Sequence, residues 1–532
     1  MDRITFKNFR KFKDETTFEL NDINILVGPN NSGKSTLTKG IRLYLYNIQN
    51  LKVNDDNDNT VSFMPFFDFG GNVFSNPHVG TFGRALSKNA DEDEIHFSML
   101  FYNTFVDTTV SRFSVHCKDA EGNPIDYFDS TSAPITQISF YNTDYDAAYI
   151  FDFEKECFHV IFNYSGKSDY YGLWKSRIEE YNNKIQNLKN SSEIEWYEDV
   201  IISPMEKSIS FGIKDRIYMT MELDIDHISE DLYKGLFVYA FELIDDVKNG
   251  DCDCVIDEKD KHVLGDENFY NYYRQINNDI SNDFNTYVKD RHTVVIEAHS
   301  VTHSLVYNIS DKNDYMAQTI LDYKNQNIKD TDPENLFIKN WMTKFNIGED
   351  FIIESFGGEC FKFEIIEDIR HPEERTPLLD KGVGSNQIMI LLLRLATLMR
   401  QNIGATIPCT IIIEEPEQNL HPKLQSLLAD LFYEVYQYPK KTNKDSWGIS
   451  FLVETHSEYL VRRSQVLVAK MFKEGSEDIP ISVFYVTGDN KMPSYEMGFQ
   501  KNGKFEKSFG KGFYDVSDDA AMELFDLDNE DN

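Results

Sequence analysis

The sequence predicts an α/β fold: a mixed-sheet core, an antiparallel β subdomain and an inserted helical region. Three observations predict it. An apolar strand runs through a glycine-containing turn into a helix near the N-terminus, and strand-like segments crowd residues 50–165. The final third alternates strands with helices, which implies a parallel sheet covered by helices.

Taken in order, "RITFKNFRKF" alternates apolar and polar residues and "TTFEL" follows a short charged turn, so the first 20 residues read as a hairpin. "INILVG" is a buried strand. It leads into "STLTKGIRLYLYNI", where Leu37, Ile41, Leu45 and Ile48 recur at helical spacing. "DEIHFSMLFYN", "TVSRFSVHCKD" and "AAYIFDFEKECFHVIFNY" are strands of a mostly antiparallel subdomain. Residues 168–292 turn polar and helix-compatible, as in "LWKSRIEEYNNKIQNLKN" and "ENFYNYYRQINNDISNDFNTYV", and read as a helical insertion without sustained heptads. Beyond them "HTVVIEAH" reads as a buried strand, "FIIESFGGECFKFEII" as a hairpin around Gly357 and Gly358, and "NQIMILLLRLATLMRQ" as an apolar helix. "CTIIIEE", "GISFLVET" and "ISVFYVT" then alternate with helices, and "FDLDNEDN" reads as a frayed acidic tail. The expected domains are 1–167, 168–292 and 293–532.

Composition narrows the function classes. Forty Phe and 29 Tyr among 532 residues supply a large core. There is no apolar run of membrane-spanning length and no signal-peptide pattern at the N-terminus, so a soluble cytoplasmic chain is expected, without a membrane. Six scattered Cys suggest a reducing compartment, and the close pair Cys252 and Cys254 lacks two further metal ligands at matching spacing. A net charge of −36 opposes unspecific binding to nucleic acid, so any such contact needs a local basic patch or a second protein.

"GPNNSGKST", Gly28 to Thr36, matches G-x-x-x-x-G-K-S/T between a strand and a helix. Gly28 and Gly33 let the backbone N–H groups of Asn30, Asn31, Ser32, Gly33, Lys34, Ser35 and Thr36 converge on a phosphate, and the helix N-terminus adds its positive end. Lys34 reaches the terminal phosphates of a nucleoside triphosphate, and the Ser35 hydroxyl takes a place on Mg²⁺. The cofactors implied are ATP and Mg²⁺. "IIIEEPEQNLHPKLQ" supplies the acids such a loop needs: Glu414 to hold the metal and Glu415 to polarise the attacking water. Glu417 either touches the metal shell or caps the helix starting near Pro422. In "FLVETHSEYLVRR", His456 stands just past an apolar run, able to donate to the γ-phosphate. The alternative there is a capping stretch, "THSE", with an incidental His.

Together these pieces resemble P-loop ATPase heads of ABC type, of the SMC and RecF kind, and more closely the OLD-like branch of AAA-labelled ATPases found in bacterial defence loci. "FKNFRKF" with "INILVGPNNSGKST" is similar to the family's strand pair and Walker A, "IIIEEPEQNLHP" to its Walker B and D-loop, and "VETHSEYL" to its switch histidine. "LLDKGVGSNQIMILLLRLA" occupies the signature position with altered letters, and either Ser385 or Asn386 is to meet the γ-phosphate. No Q-loop glutamine is placed. "SFGKGFYD" resembles the end of a subgroup with a DUF3696-type tail.

The resemblance implies an ATPase whose ATP-dependent head-to-tail dimer, or higher oligomer, regulates or senses for a separate effector such as a nuclease or toxin, as in Septu-like or PARIS-like antiphage systems. Any contact with nucleic acid is left to that partner or to a local basic patch. About 75 residues follow His456 and hold no cluster of acids behind strands, so no nuclease is expected here. The alternatives are a RecF-type DNA-repair ATPase that grips DNA itself, and an ATP-locked scaffold with little turnover.

Overall fold

A computed structural model describes residues 2–50, 64–70, 79–162, 217–223, 232–250, 254–256, 264, 267–289, 291–296, 304–312, 314–403, 409–442, 448–489, 492–510, 513–516, 519–520 and 522–523. "LWKSRIEEYNNKIQNLKN", Cys252 and the acidic tail lie outside them. The chain opens with β1 (Asp2–Lys7), β2 (Thr16–Leu20), β3 (Ile23–Val27) and helix α1 (Lys34–Asn50). It divides into two compact units: residues 1–19 with 39–290, and residues 20–38 with 291–532.

The first unit is built on a ten-stranded antiparallel sheet. Added to β1 and β2 are β4 (Phe66–Asp68), β5 (Glu94–Phe101), β6 (Thr104–Ser111), β7 (Ser132–Asn142), β8 (Ala147–Asp152), β9 (Cys157–Phe162), β10 (Ile217–Glu222) and β11 (Cys254–Ile256). Their order is β11-β10-β9-β8-β7-β6-β5-β1-β2, with β4 on β7. β5 buries alternate residues, as its sequence pattern requires of a sheet covered on one face. Phe6, Phe9, Phe12, Phe67 and Phe97 are fully or almost fully buried, and Tyr44 stacks on Phe97 with ring centroids 5.3 Å apart. Short α2 (Phe82–Ala85) and longer α3 (Leu232–Asn249) and α4 (Glu267–Phe284) complete the unit, and α4 runs on into a π-helical turn, Asn285–Lys289. The described part of 168–292 is therefore not helical alone: β10 and β11 extend the sheet begun by residues 2–162.

The second unit carries a six-stranded sheet. It comprises β3, β12 (His292–Ile296), β17 (Cys409–Glu414), β18 (Ile449–Glu454), β19 (Ile481–Val486) and β20 (Ser494–Glu496), in the order β12-β17-β18-β3-β19-β20. All pairings are parallel except β20 on β19. β3 is buried at every position, as a central parallel strand must be. The strand expected to be buried at "HTVVIEAH" is an edge strand, where only Ile296 is buried. An edge has a neighbour on one side only, so its apolar run is half covered. A smaller antiparallel sheet holds β13 (Tyr307–Asn308), β14 (Asp350–Phe356), β15 (Cys360–Ile366) and β16 (Arg375–Pro377). Gly357 and Gly358, at φ 57° and 77°, turn β14 into β15 as the sequence predicts. Helices α5 (Tyr315–Asn325), α6 (Pro333–Lys344), α7 (Val383–Gln401), α8 (Pro422–Thr442) and α9 (Glu458–Lys473) supply the cover. α7 is apolar almost all round because it is buried at nearly every position from Asn386 to Met399.

β3, the glycine turn and the start of α1 belong to this second unit, because β3 pairs with β18 and β19 over 400 residues later. The expected boundaries after 167 and 292 place them in the N-terminal lobe instead. Pairing, not chain order, decides their placement.

Candidate nucleotide site

The loop between β3 and α1 is Gly28 to Gly33. Gly28 (φ 155°), Asn31 (φ 60°) and Gly33 (φ 121°) hold backbone angles that turn successive N–H groups inward. Gly28 admits no side chain: a Cβ there would lie 2.2 Å from the Val486 carbonyl oxygen at the end of β19. Asn30 and Asn31 are exposed, whereas Ser32, Lys34 and Thr36 are buried. The Thr36 N–H donates to the Gly33 carbonyl at 2.9 Å, which starts the helix. Lys34 folds back over the loop, its ammonium donating to the carbonyls of Gly28 at 2.9 Å and Pro29 at 3.1 Å. Burial lowers the Lys34 pKa, and the carboxylates of Glu454, Glu415 and Glu417 oppose that shift.

Parallel register places the acids. Glu414 at the end of β17 pairs with Glu454 at the end of β18, and Glu454 pairs with Leu26 of β3. Because β18 lies between the other two strands, its terminal residue is the one delivered to the loop. The Ser35 hydroxyl donates to Glu454 Oε1 at 2.8 Å. Glu454 is the site residue that the sequence reading passed over. Its sequence context matches that of Glu414, each ending an apolar strand, and only strand order separates the two.

Glu415 takes φ 45°, and its N–H donates to the Glu454 carbonyl at 2.7 Å. Its side chain accepts from Gln418 Nε2 and stands 3.9 Å from His456 Nε2. Glu417 is buried and accepts the backbone N–H of His456 at 2.6 Å. It does not cap α8, where the Lys423 N–H donates to the His421 ring Nδ1 at 3.3 Å instead. His456 keeps an exposed ring, with a pKa lowered by burial and by Lys34 and raised by Glu415. The capping reading of "THSE" holds alongside, for the Ser457 hydroxyl accepts from the Leu460 N–H at 3.2 Å.

Ser385 and Asn386 lie in the first turn of α7, half-buried and buried respectively. The Asn386 amide donates one of its two N–H groups to the Gly382 carbonyl of its own turn at 2.8 Å. This turn meets the segment after Glu417: a Cβ on Gly384 would lie 2.5 Å from the Asn419 carbonyl oxygen, and Asn419 Nδ2 donates to Gln387 Oε1 at 3.5 Å. Asn419 (φ 59°) and His421 are exposed while Leu420 is buried.

A divalent cation suits these residues. Burial raises the pKa of both Glu454 and Glu417, and each keeps a buried carboxylate oxygen, Oε2, without a hydrogen-bond partner. Buried carboxylates crowded in this way need positive charge among them. Among the described residues no three His, Cys, Asp or Glu converge into a metal cage of their own.

A family model described as "AAA ATPase domain" matches residues 1–461. The chain belongs to that family. Its fold is a P-loop ATPase head of ABC type, the acid strand and the loop strand being separated by one further parallel strand. No curated protein matches the chain significantly. Solved structures similar to it include an SMC head bound to the C-winged helix domain of ScpA (11% identity, TM-score 0.35, covering 94% of this chain and 98% of that one). Others are an Smc head with an extended coiled coil bound to the C-terminal domain of ScpA derived from Pyrococcus furiosus (11%, 0.31, 99% and 100%) and the SMC head domain from Thermotoga maritima (10%, 0.31, 94% and 98%). Among the described residues no helix of this ATPase is long and apolar enough to cross a membrane.

Proposed function

We propose that this ATPase binds ATP with Mg²⁺, assembles head to tail on it, and regulates or senses for a separate effector such as a nuclease or toxin. The observation that carries the reading is one site in one unit, where Lys34, Ser35, Glu415, Glu417, Glu454 and His456 gather around the loop. Lys34 steadies the terminal phosphates. Ser35, Glu414 and Glu454 hold Mg²⁺, which when bound neutralises phosphate charge. Glu415 orients and polarises the attacking water, and His456 donates toward the γ-phosphate. One of Ser385 and Asn386, together with the exposed Asn419 and His421, meets a second copy. Of the first two, Ser385 is the better placed, being half-buried where Asn386 is buried. A role in bacterial antiphage defence, OLD-like ancestry and the absence of nuclease activity in this chain belong to the same proposal.

The alternative in which the chain grips DNA itself finds less support. The two basic stretches that could serve it are partly paired with acids: in "FRKFK" Lys13 with Asp91, and in "VRRSQ" Arg462 with Glu458 and Arg463 with Asp430.

The test is Glu415→Gln. Phosphate release from Mg-ATP should fall at least about 100-fold, because a water-polarising group is lost. Light scattering should show an ATP-dependent assembly in the variant that the wild type forms only transiently. If the wild type releases no phosphate under any condition, the scaffold reading replaces this one.

A further inference from the structure

His456 is held by the segment that follows β17, and by more than the Glu417 carboxylate. One residue on, Ser457 heads α9. Its hydroxyl accepts the Leu460 N–H at 3.2 Å and donates its own proton to Gln425 Oε1 of α8 at 2.6 Å. The Gln425 amide nitrogen turns the other way, donating to the Leu420 carbonyl at 3.0 Å, with the Glu417 carbonyl at 3.5 Å. These bonds have fixed directions. A hydroxyl has one proton to give, and two carbonyls can face only the nitrogen side of an amide.

Leu420 is in turn a point of contact for α7. A Cβ on Gly384 would lie 3.3 Å from Leu420 Cδ2 as well as 2.5 Å from the Asn419 carbonyl oxygen. Gln425, half-buried, therefore stands between the loop against which α7 rests and the residue after His456. Neither helix needs its amide for its own sake. The first turn of α8 forms through the Leu424 and Gln425 N–H groups, which donate to the His421 carbonyl. α8 and α9 are joined further along, where Arg463 donates to both carboxylate oxygens of Asp430 at 2.7 and 2.9 Å.

We propose that Gln425 is a positioning residue for His456, its side-chain amide fixing Ser457 against the Leu420 turn. The histidine is then placed by anchors on two successive residues: the Glu417 carboxylate takes the His456 N–H at 2.6 Å, and the Gln425 carbonyl takes the Ser457 hydroxyl. Both anchors come from the segment that carries Asn419 and His421, so a displacement of that loop is passed on to the histidine. Loss of the amide leaves one anchor, about which the ring is free to drift from the γ-phosphate.

The inference rests on the ATPase reading and deepens it, and two measurements keep them apart. Gln425→Met keeps the length and the apolar stem and removes both ends of the link. In steady-state hydrolysis of Mg-ATP it should lower kcat about three- to tenfold at unchanged KM, the effect of one hydrogen bond. That loss should vanish in a His456→Ala background, because Gln425 acts through that residue. Gln425→Glu keeps an acceptor for Ser457 but has no N–H for Leu420, and should do no better than Gln425→Met. Hydrogen exchange of the full chain without nucleotide reads the link itself: in Gln425→Met the segments 417–421 and 455–460 should both exchange about three- to tenfold faster. An unchanged kcat, equal losses in both backgrounds, a Gln425→Glu variant at the wild-type rate, or faster exchange in one segment only each overturn the proposal. A wild type without turnover defeats the ATPase reading, and His456→Ala at the wild-type rate defeats the role given to His456. In either case the exchange alone decides whether Gln425 joins the two segments.

Discussion

Glu414 and Glu454 end neighbouring strands in register, and it is Glu454 that accepts from the Ser35 hydroxyl. The difference is one of strand position: β18 borders β3 and β17 does not. Glu454→Gln should therefore raise the Mg²⁺ concentration needed for half-maximal turnover by about 10- to 100-fold, the range for loss of a residue orienting a metal ligand. The increase should be at least as large as that for Glu414→Gln. A Mg²⁺ titration of ATP hydrolysis in both variants checks this, and an unchanged Glu454→Gln curve would make the Ser35 contact merely structural. The same comparison explains what could be read beforehand. Lys34 and Ser35 were legible because the loop that uses them is contiguous and its flanks have clear periodicity. Glu454 was not, because an acid at a strand end acquires its role only from the strand beside it.

Among the elements, β9 carries a histidine that the nucleotide chemistry does not involve. His159 is fully buried in the antiparallel sheet, paired in register with Ile150 and Thr220, and burial with the nearby Lys155 pushes its pKa down to about 3. In the unfolded chain the imidazole titrates near 6.5. Between those values the unfolded state binds a proton that the folded state does not, so stability rises with pH across the window and is lost as pH falls below about 6.5. The slope is roughly 1.4 kcal/mol per pH unit. Urea unfolding at pH 7 and pH 5 should show the loss, and His159→Leu should shrink the difference by roughly 2 kcal/mol. An equal difference in both proteins would assign the acid sensitivity elsewhere. Legibility varies among elements for a similar reason. The β14–β15 hairpin and α7 follow from local turn chemistry and apolar runs, whereas the same kind of apolar run at His292–Ile296 became an edge strand, since nothing local encodes how many neighbours a strand has.

For the molecule as a whole, charge and pairing set the expectations. With −36 net charge, and with Lys13, Arg462 and Arg463 of its basic stretches matched to acids, the chain alone should show no binding to a 30-base-pair duplex by fluorescence anisotropy at about 0.15 M salt. Tight, salt-sensitive binding that also stimulates ATP hydrolysis would favour direct DNA engagement over a separate effector. By itself the sequence determined that the chain holds a phosphate-binding loop, a pair of acids after a buried strand and a parallel sheet, because each is written in consecutive residues through short-range sterics and period-two or helical patterning. Only the tertiary structure decided that β3 joins the C-terminal unit, that the described part of 168–292 extends an antiparallel sheet, and that Glu454 and Glu417 belong beside Lys34 and His456. Such neighbours come from strand order and packing between segments up to hundreds of residues apart. No local propensity records them.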